Sequence, residues 1–246
     1  MKALFTVATV FSALAVFAQE AEFNQKLKSF NKIVVSPKID LVLIPGETES
    51  IRIEYSGVGR ENIVVDQRGR RVHVYLDHAK IFDIGERRKD HDMFNRRERY
   101  KFAHVTAYVT FKSLKVIESR GEGDVLCEGK ISSKKIKVRA YGETDVRFAH
   151  LEAKTIKARL YGENTMKILE GQAGHLSYKI YGQNKIDSRG LISVTSSTTV
   201  YGEGRISLHA TEEVRVNSFG EPSLIVSGSP YISKGIILGH ANIRSY

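Results

Sequence analysis

The sequence has 246 residues and a formal net charge of +10, so it is basic and long enough for one large or two small domains. Its single cysteine, Cys127, excludes an internal disulfide and a multi-cysteine zinc site. A protein of this size without disulfides depends on a sizeable packed core, and the length allows one.

The first twenty residues, "MKALFTVATVFSALAVFAQE", have the pattern of a secretory signal. One early lysine precedes an unbroken apolar run and then small residues, which predicts a signal peptide over 1–18 with the cut after Ala18. The apolar run is short for a membrane span, and the residue directly after the cut is not a cysteine that could carry a lipid. We therefore expect an exported protein that does not span a membrane, in the periplasm or at the cell surface.

Export changes the meaning of the positive charge. In the cytosol such a surplus would indicate nucleic acid as the partner. Behind a signal peptide it points instead to anionic glycans, lipopolysaccharide head groups or an acidic cell-wall polymer, and nucleic acid is not expected. The alternative is that the charge serves only solubility.

Residues 28–84 alternate apolar and polar side chains in short stretches such as "NKIVVSPKIDLVLIPG" and "NIVVDQRGRRVHVYL", which predicts β-strands. Pro45-Gly46 and Ser56-Gly57 are turn signals between them. The segment 85–101, "GERRKDHDMFNRRERYK", lacks this alternation and is dense in charge, so it is predicted to be a basic loop. No helical pattern of useful length appears after residue 18.

Residues 102–246 form a repeat that is marked by regularly spaced glycines. Their spacings are 21, 20, 20, 20 and 18, at Gly121, Gly142, Gly162, Gly182, Gly202 and Gly220. Apolar residues alternate on both sides of each glycine, for example Val138 and Ala140 before Gly142 and Val146 and Phe148 after it. This pattern predicts an all-β, mostly parallel β-helix (a β-solenoid) over 19–246, with rungs of about 20 residues in the repeat and glycines of positive φ at the corners.

Three motifs in this order carry a family resemblance: "FNKIVVSPKIDLVLIPGETESIRIEY", "VTAYVTFKSLKVIESRGEGDV" and corners such as "VRAYGETDV". Together with the signal peptide, they resemble the auto-transporter adhesin "head GIN domain" family of exported bacterial proteins, common in Bacteroidetes. The resemblance runs from Phe30 to the C-terminus. It implies a right-handed parallel β-helix and an adhesin role, and it brings no catalytic motif. The loop 85–101 is longer and more basic than the family pattern leads us to expect.

The outward positions before each corner glycine carry the candidate ligand-binding residues. A tyrosine stands directly before the glycine, and basic residues stand three and five positions before it. The predicted site is Tyr141, Tyr161, Tyr181, Tyr201, Lys137, Arg139, Lys157, Arg159 and Lys179. Aromatic faces stack on sugar rings, and lysine and arginine bind carboxylate, sulfate or phosphate. In the alternative, the tyrosines only support each other at the corners and the basic groups are solvated.

The positions after the glycines are acidic or carry an amide, and two further carboxylates, Asp124 and Asp145, are expected on adjacent rungs. Paired carboxylates bind Ca²⁺ or serve acid/base hydrolysis. The loop residue His91 stands between two aspartates but matches no zinc motif. No nucleophile, phosphate-binding or dinucleotide motif is present, so no catalytic residue, metal or cofactor is assigned.

These patterns favour an exported, non-enzymatic adhesion or envelope-binding module that binds an anionic polysaccharide along the aromatic and basic columns. One alternative is a carbohydrate-active β-helix enzyme, a lyase or hydrolase, that uses Asp124 and Asp145. A second is a structural envelope protein that self-associates, because the ends of a solenoid expose unpaired strand edges.

Overall fold

The computed structural model describes residues 21–77 and 100–246. These residues contain twelve β-strands and one short 3-10 helix, Arg60–Asn62. The predicted signal peptide and nearly all of the predicted basic loop lie outside these residues. The all-β class is confirmed. The strands are β1 (Ala21–Lys26), β2 (Lys32–Val35), β3 (Asp40–Pro45), β4 (Ser50–Ser56), β5 (Ile63–Arg68), β6 (Arg71–Leu76), β7 (His104–Phe111), β8 (Val116–Glu122), β9 (Val125–Gly220), β10 (Ser223–Ser227), β11 (Tyr231–Leu238) and β12 (Asn242–Ser245).

The strands form one long mixed sheet around β9. The order is β1-β4-β7-β3-β9-β8-β2-β6-β5, with β10 and β11 also paired to β9 and β12 paired to β10. The pairs that involve β9 are all parallel, with β3, β8, β10 and β11. The antiparallel pairs are β1 with β4, β4 with β7, and β5 with β6, so they all lie in the N-terminal part.

Parallel neighbours in the second half are offset by one repeat of the sequence. Val116 of β8 pairs with Lys137 of β9, and Ser223 of β10 pairs with Arg205 of β9, offsets of 21 and 18 residues. Inside β9, Asn164 Nδ2 donates a hydrogen bond to Asn184 Oδ1 at 3.0 Å. Equivalent positions of successive repeats are therefore neighbours in space.

The glycines that mark the repeat all have positive φ, between 93° and 147°, as the sequence predicts. They are Gly121, Gly142, Gly162, Gly182, Gly202 and Gly220. An L side chain rarely adopts this conformation, and glycine adopts it without steric cost. The backbone therefore changes direction at the same point of each repeat, and the side chains next to the glycine recur in columns.

The core consists of the alternating apolar residues on either side of the corner glycines. Val138, Ala140, Val146 and Phe148 are each at most 1% exposed, and the equivalent positions of the other repeats are buried in the same way. Cys127 belongs to this core, and its burial raises the pKa of the thiol to about 11. It is a buried small side chain and not a reactive thiolate.

Thr198 Oγ1 is one of the buried hydroxyls in this core that make no hydrogen bond within the described residues, and its side chain is fully buried. An unsatisfied buried hydroxyl costs free energy that a methyl group of the same shape does not. Thr198→Val is expected to raise the free energy of unfolding by about 1 kcal/mol, measured by urea denaturation. The matched control is Thr144→Val, which removes a hydroxyl that donates to Gly121 O and is expected to lower stability. Equal changes in the free energy of unfolding for the two variants would contradict the conclusion that Thr198 Oγ1 lacks a hydrogen bond.

Candidate ligand-binding surfaces

The four predicted tyrosines form one continuous aromatic stack. Ring centroids are 4.9 Å apart for Tyr141 and Tyr161, 4.5 Å for Tyr161 and Tyr181, and 4.8 Å for Tyr181 and Tyr201. Phe219 extends the stack at 4.6 Å, and successive planes differ by 3° to 6°. The stack forms because each ring precedes a corner glycine, and successive corners lie one strand spacing apart, about 4.8 Å.

This stacking determines which part of each tyrosine a ligand can reach. The faces of the inner rings are covered by the neighbouring rings, so stacking of a sugar on those faces, as expected from the sequence, is not available. The rings are partly exposed, which leaves their edges and hydroxyl groups at the surface. Arg120 pairs with Tyr141 at one end of the column, and Leu238 pairs with Phe219 at the other.

Four of the five predicted basic residues converge beside this stack. Lys137, Arg139, Lys157 and Arg159 line a small pocket of about 40 Å³. The pKa of Lys137 is lower than its ordinary value. The largest cause is repulsion from the charge of Lys135, and burial and the other three cations of the pocket add to it. The depressed pKa is the signature of positive charges that repel one another.

Most of this positive charge is not neutralised within the described ranges. There, Lys137, Lys157 and Arg159 make no ion pair, nor does Lys179, which follows Arg159 in the next repeat. Arg139 alone contacts a carboxylate, Glu118 Oε2, at 3.3 Å. The surface that carries the nine predicted site residues, called the basic–aromatic strip below, is therefore strongly cationic over the repeats that contain residues 137–179.

The Glu118 carboxylate lies at the N-terminal end of this strip, on the strand position that pairs with Arg139. Its side chain is 2% exposed, and it forms ion pairs with Lys32 at 2.9 Å, Arg120 at 2.6 Å and Arg139 at 3.3 Å. Burial by itself would raise the pKa of this carboxyl, but the hydrogen bonds from Lys32 and Arg120 outweigh it and hold the pKa below its ordinary value. Apolar–polar alternation in the sequence places Glu118 at an outward position, and it does not predict that three cations surround this carboxylate.

In the repeat that contains Lys179 and in the next one, hydroxyl-bearing side chains and a histidine take most of the positions beside the stack. Ser197 Oγ donates to Ser177 Oγ at 3.1 Å. The His175 ring contacts Ser197 Oγ at 3.2 Å and Thr195 Oγ1 at 2.9 Å. The aromatic stack continues past these residues to Phe219, and the basic column has one further member there, Arg215, so the cations are concentrated at the N-terminal half of the stack.

A groove of about 800 Å³ lies on the other side of the corner glycines. We call it the corner groove. One wall is the column that directly follows the glycines: Glu122, Glu143, Glu163, Gln183, Glu203 and Glu221. The other wall is the column two residues further on: Asp124, Asp145, Thr165, Lys185, Arg205 and Ser223. The sequence predicted the acidic column and the Asp124–Asp145 pair but not the concavity between the two columns, because alternation does not reveal how sharply a corner bends.

The two carboxylates of the enzyme alternative lie in this groove. Burial, then Asp40 and Asp145, raises the pKa of the Asp124 carboxyl. Its backbone N–H donates to Asp40 Oδ1 at 2.8 Å. Asp145 forms an ion pair with Arg147 at 2.6 Å. The structure thus brings Asp124 and Asp145 together as expected.

Two further observations bear on the kind of site. In the described ranges, no group of three or more His, Cys, Asp or Glu side chains is placed to hold a metal ion. The segment with His91 lies outside those ranges. No helix among residues 21–77 and 100–246 has the length and apolar character needed to cross a membrane.

Comparison with solved structures finds a similar fold in several bacterial proteins. A protein from Bacteroides fragilis described as a putative adhesin matches with a TM-score of 0.74 and 20% identity, over 93% of this chain and 97% of that one. A putative adhesin from Parabacteroides distasonis matches with a TM-score of 0.69 and 16% identity, over 93% and 98%. A putative lipid binding protein from the same species matches with a TM-score of 0.60 and 15% identity, over 92% and 96%.

No curated protein matches the chain. A family model does match, over residues 29–230, and its description is "Putative auto-transporter adhesin, head GIN domain". That range contains the basic–aromatic strip, the Glu118 cluster and the corner groove. The chain therefore belongs to the auto-transporter adhesin head GIN domain family.

Proposed function

We propose that this protein is an exported, non-enzymatic adhesion or envelope-binding module whose basic–aromatic strip binds an anionic polysaccharide. An adhesin-type role is supported at the level of the family. A cell-surface or exported location follows from the same membership, and the signal-like residues 1–18 support export. The choice of ligand rests on the strip alone.

The observation that carries the proposal is the group of cations around the small pocket. Lys137, Lys157 and Arg159 have no carboxylate partner among the described residues, and the pKa of Lys137 is lowered by repulsion from Lys135 first, then by burial and by the neighbouring cations. An unpaired cationic cluster is stabilised by any anion that enters it. A carboxylate or sulfate group of a polysaccharide would accept hydrogen bonds from several of these side chains at once.

We propose that the repeats with offsets of about 20 residues form rungs of a parallel β-helix, which would hold these cations at a regular spacing. The stacked rings at 4.5 to 4.9 Å and the parallel pairing of β8, β10 and β11 with β9 support this interpretation. Each rung then adds one weak contact at a fixed distance, and a polymer that follows the strip binds through their sum. The tyrosine hydroxyls along the same edge would donate to sugar oxygens.

Neither alternative is favoured. Catalysis by Asp124 and Asp145 would need one free general base, and Asp145 is already engaged by Arg147. Self-association has support from the C-terminal edge, where Tyr231 and Leu238 of β11 are 73% and 60% exposed. A lipid ligand is named for one structural relative, and it would use the same cations through its phosphate groups.

The proposal is tested by calorimetric titration of the full protein with polygalacturonate and heparin at low salt. The variant K137Q/K157Q/R159Q is expected to bind at least about tenfold more weakly, because three exposed charges contribute up to about 1 kcal/mol each. It keeps Arg139 and hence the Glu118 cluster. The matched control K26Q/K154Q/K234Q removes three exposed charges elsewhere and is expected to bind like the wild type.

A second variant separates the contribution of the tyrosine hydroxyls to binding from the contribution of the aromatic stack to stability. Replacing all four tyrosines with phenylalanine keeps the rings, so a weaker affinity with unchanged unfolding would assign binding to the hydroxyls. Unchanged binding by K137Q/K157Q/R159Q would overturn the proposal. The proposal would also be overturned if the protein bound anionic lipid vesicles but neither of the two polysaccharides, or if new reducing ends appeared in the polysaccharide during the titration.

A further inference from the structure

The cations beside the tyrosine stack decrease in number from one repeat to the next. Three outward positions precede each tyrosine of the stack, at two, four and six residues before it. Lysine or arginine occupies three of these positions before Tyr141, two before Tyr161, one before Tyr181 and none before Tyr201. These residues are Lys135, Lys137 and Arg139, then Lys157 and Arg159, then Lys179. The two halves of the face therefore differ in charge, although the aromatic stack beside them is uniform.

All of these positions lie on one face and are in register between repeats. In each of the four repeats they alternate with buried residues, so their side chains point outward. The repeats that contain Lys157 and Ser197 are two strand spacings apart, about 10 Å. No aspartate or glutamate occupies these positions, and the following repeat, before Phe219, has Glu213 and Arg215, whose charges are opposite. The decrease in positive charge is therefore not offset by acidic side chains at the same positions.

The cationic half contains a space for one anionic group. Lys137, Arg139, Lys157 and Arg159 line the small pocket of about 40 Å³, which is little more than the volume that one molecule occupies in liquid water. An oxygen of a carboxylate, sulfate or phosphate can enter such a space, whereas a sugar ring cannot. Arg139 already contacts Glu118 Oε2, so the other three cations provide the free donors for that group.

The other half of the face presents hydroxyl groups and a histidine. Ser197 Oγ donates to Ser177 Oγ at 3.1 Å, and the His175 ring contacts Ser197 Oγ and Thr195 Oγ1. Thr199 is half-buried and adds a further hydroxyl in the same repeat as Ser197. A hydroxyl group can donate one hydrogen bond and accept others. This half therefore matches the hydroxyl groups of uncharged sugars and has little to offer an anionic group.

We infer that the strip binds a glycan that carries one anionic group near one end, with uncharged sugars behind it. The anionic group would accept hydrogen bonds from Lys137, Lys157 and Arg159 at the pocket. The uncharged sugars would follow the stack and exchange hydrogen bonds with Ser197 and Thr199. This inference rests on the proposed function and narrows its ligand from any anionic polysaccharide to an end-charged glycan, which binds in one direction only.

Two other kinds of glycan use this face less fully. A uniformly anionic glycan would place charged groups beside Thr195, Ser197 and Thr199, where they lose part of their hydration and no cation balances them. An uncharged glycan would leave the cations at the pocket without an anion. Only a ligand with both parts satisfies both halves of the face.

Calorimetric titration of the full protein with three defined oligosaccharides at low salt tests this inference. Cellotetraose is uncharged, cellotetraonate is the same chain with its reducing end oxidised to a carboxylate, and cellobionate has the carboxylate but a single further sugar. Cellotetraonate is expected to bind about tenfold more tightly than cellotetraose, because it adds the charged contact. It is also expected to bind about tenfold more tightly than cellobionate, because its uncharged sugars reach the hydroxyl-bearing repeats.

Variants assign the two contributions to the two halves of the face. S177A/S197A/T199V is expected to bind cellotetraonate about tenfold more weakly and cellobionate like the wild type, because it removes only the hydroxyl groups. The matched control S132A/S207A/T165V removes the same groups outside the strip and is expected to bind both ligands like the wild type. K137Q/K157Q/R159Q is expected to bind cellotetraonate no more tightly than cellotetraose.

Three outcomes would overturn the inference: equal affinities for cellotetraose and cellotetraonate, equal affinities for cellobionate and cellotetraonate, or an equal effect of the hydroxyl variant and its control. The first two comparisons use the wild type alone, so they decide the matter even where a variant does not fold. Polygalacturonate is titrated under the same conditions. If it binds and K137Q/K157Q/R159Q weakens it, the proposed function stands and only the end-charged ligand is wrong, whereas its failure to bind would remove both.

Discussion

Replacing Gly162 with alanine is expected to lower the free energy of unfolding by about 3 kcal/mol or more. Two costs add. Gly162 has a φ of +105°, which an L side chain rarely adopts, and a Cβ there would lie 2.3 Å from Gly142 O. That oxygen belongs to the backbone of the neighbouring repeat, so relief requires the repeats to move apart. Urea denaturation followed by circular dichroism measures the loss.

Two control glycines separate these costs. Gly204 has no positive φ, and a Cβ there would meet nothing closer than Asn184 O at 3.6 Å, so Gly204→Ala is expected to change stability by less than about 0.5 kcal/mol. Gly69 has a φ of +57° and open space around it, so Gly69→Ala is expected to cost about 1 kcal/mol through the backbone alone. A Gly162→Ala variant as stable as Gly204→Ala would show that the close contact between repeats is wrong.

Glu118→Gln is expected to lower the free energy of unfolding by about 2 to 4 kcal/mol, because it leaves three half-buried cations without their common, fully buried anion. The neutral amide keeps the size of the side chain, so lost packing contributes little. Lys32, Arg120 and Arg139 come from three different strands, and their charges would then repel one another. The matched control is Glu152→Gln, whose carboxylate is 33% exposed and pairs with Lys130, where a loss below about 1 kcal/mol is expected.

The pH dependence of the same cluster has a definite sign. The folded-state pKa of Glu118 lies below its ordinary value of 4.5, so its stabilisation is fully present above about pH 4.5. It is lost as the pH falls through the folded-state pKa, where the carboxyl takes up a proton. The difference in stability between wild type and Glu118→Gln is therefore expected to narrow in acid. If the stability difference between wild type and Glu118→Gln stayed constant from pH 7 to pH 3, the stabilising role of the ionised Glu118 carboxylate would be contradicted.

The repeat region was predictable from the sequence because two independent signals coincide there. The glycine period located the corners, and the alternation of apolar residues located the buried columns on both sides of each corner. Val138, Phe148 and Cys127 are all buried as expected, and each corner glycine has positive φ. The column of tyrosines follows from the same period, because identical spacing brings identical side chains into contact.

The N-terminal strands and the surface contacts were not predictable in this way. Ile33 pairs with Ile117 and Leu41 with Val125, each 84 residues apart, and alternation identifies a strand but not its neighbour. Glu118 occupies an outward position, and two of its three cationic partners, Lys32 and Arg139, come from other strands. The corner groove depends on the bend between two walls, which no pattern of residue types encodes.

The tyrosine stack also gives this protein an optical probe of its own assembly. The chain has no tryptophan, so its 11 tyrosines dominate the near-ultraviolet spectrum, and four of them lie in parallel contact. Rings held 4.5 to 4.9 Å apart couple their electronic transitions, and separated rings do not. The near-ultraviolet circular dichroism therefore reports on register between repeats, while the far-ultraviolet signal reports on strand content. Comparing the two during unfolding distinguishes repeats that slide past one another from repeats that unravel.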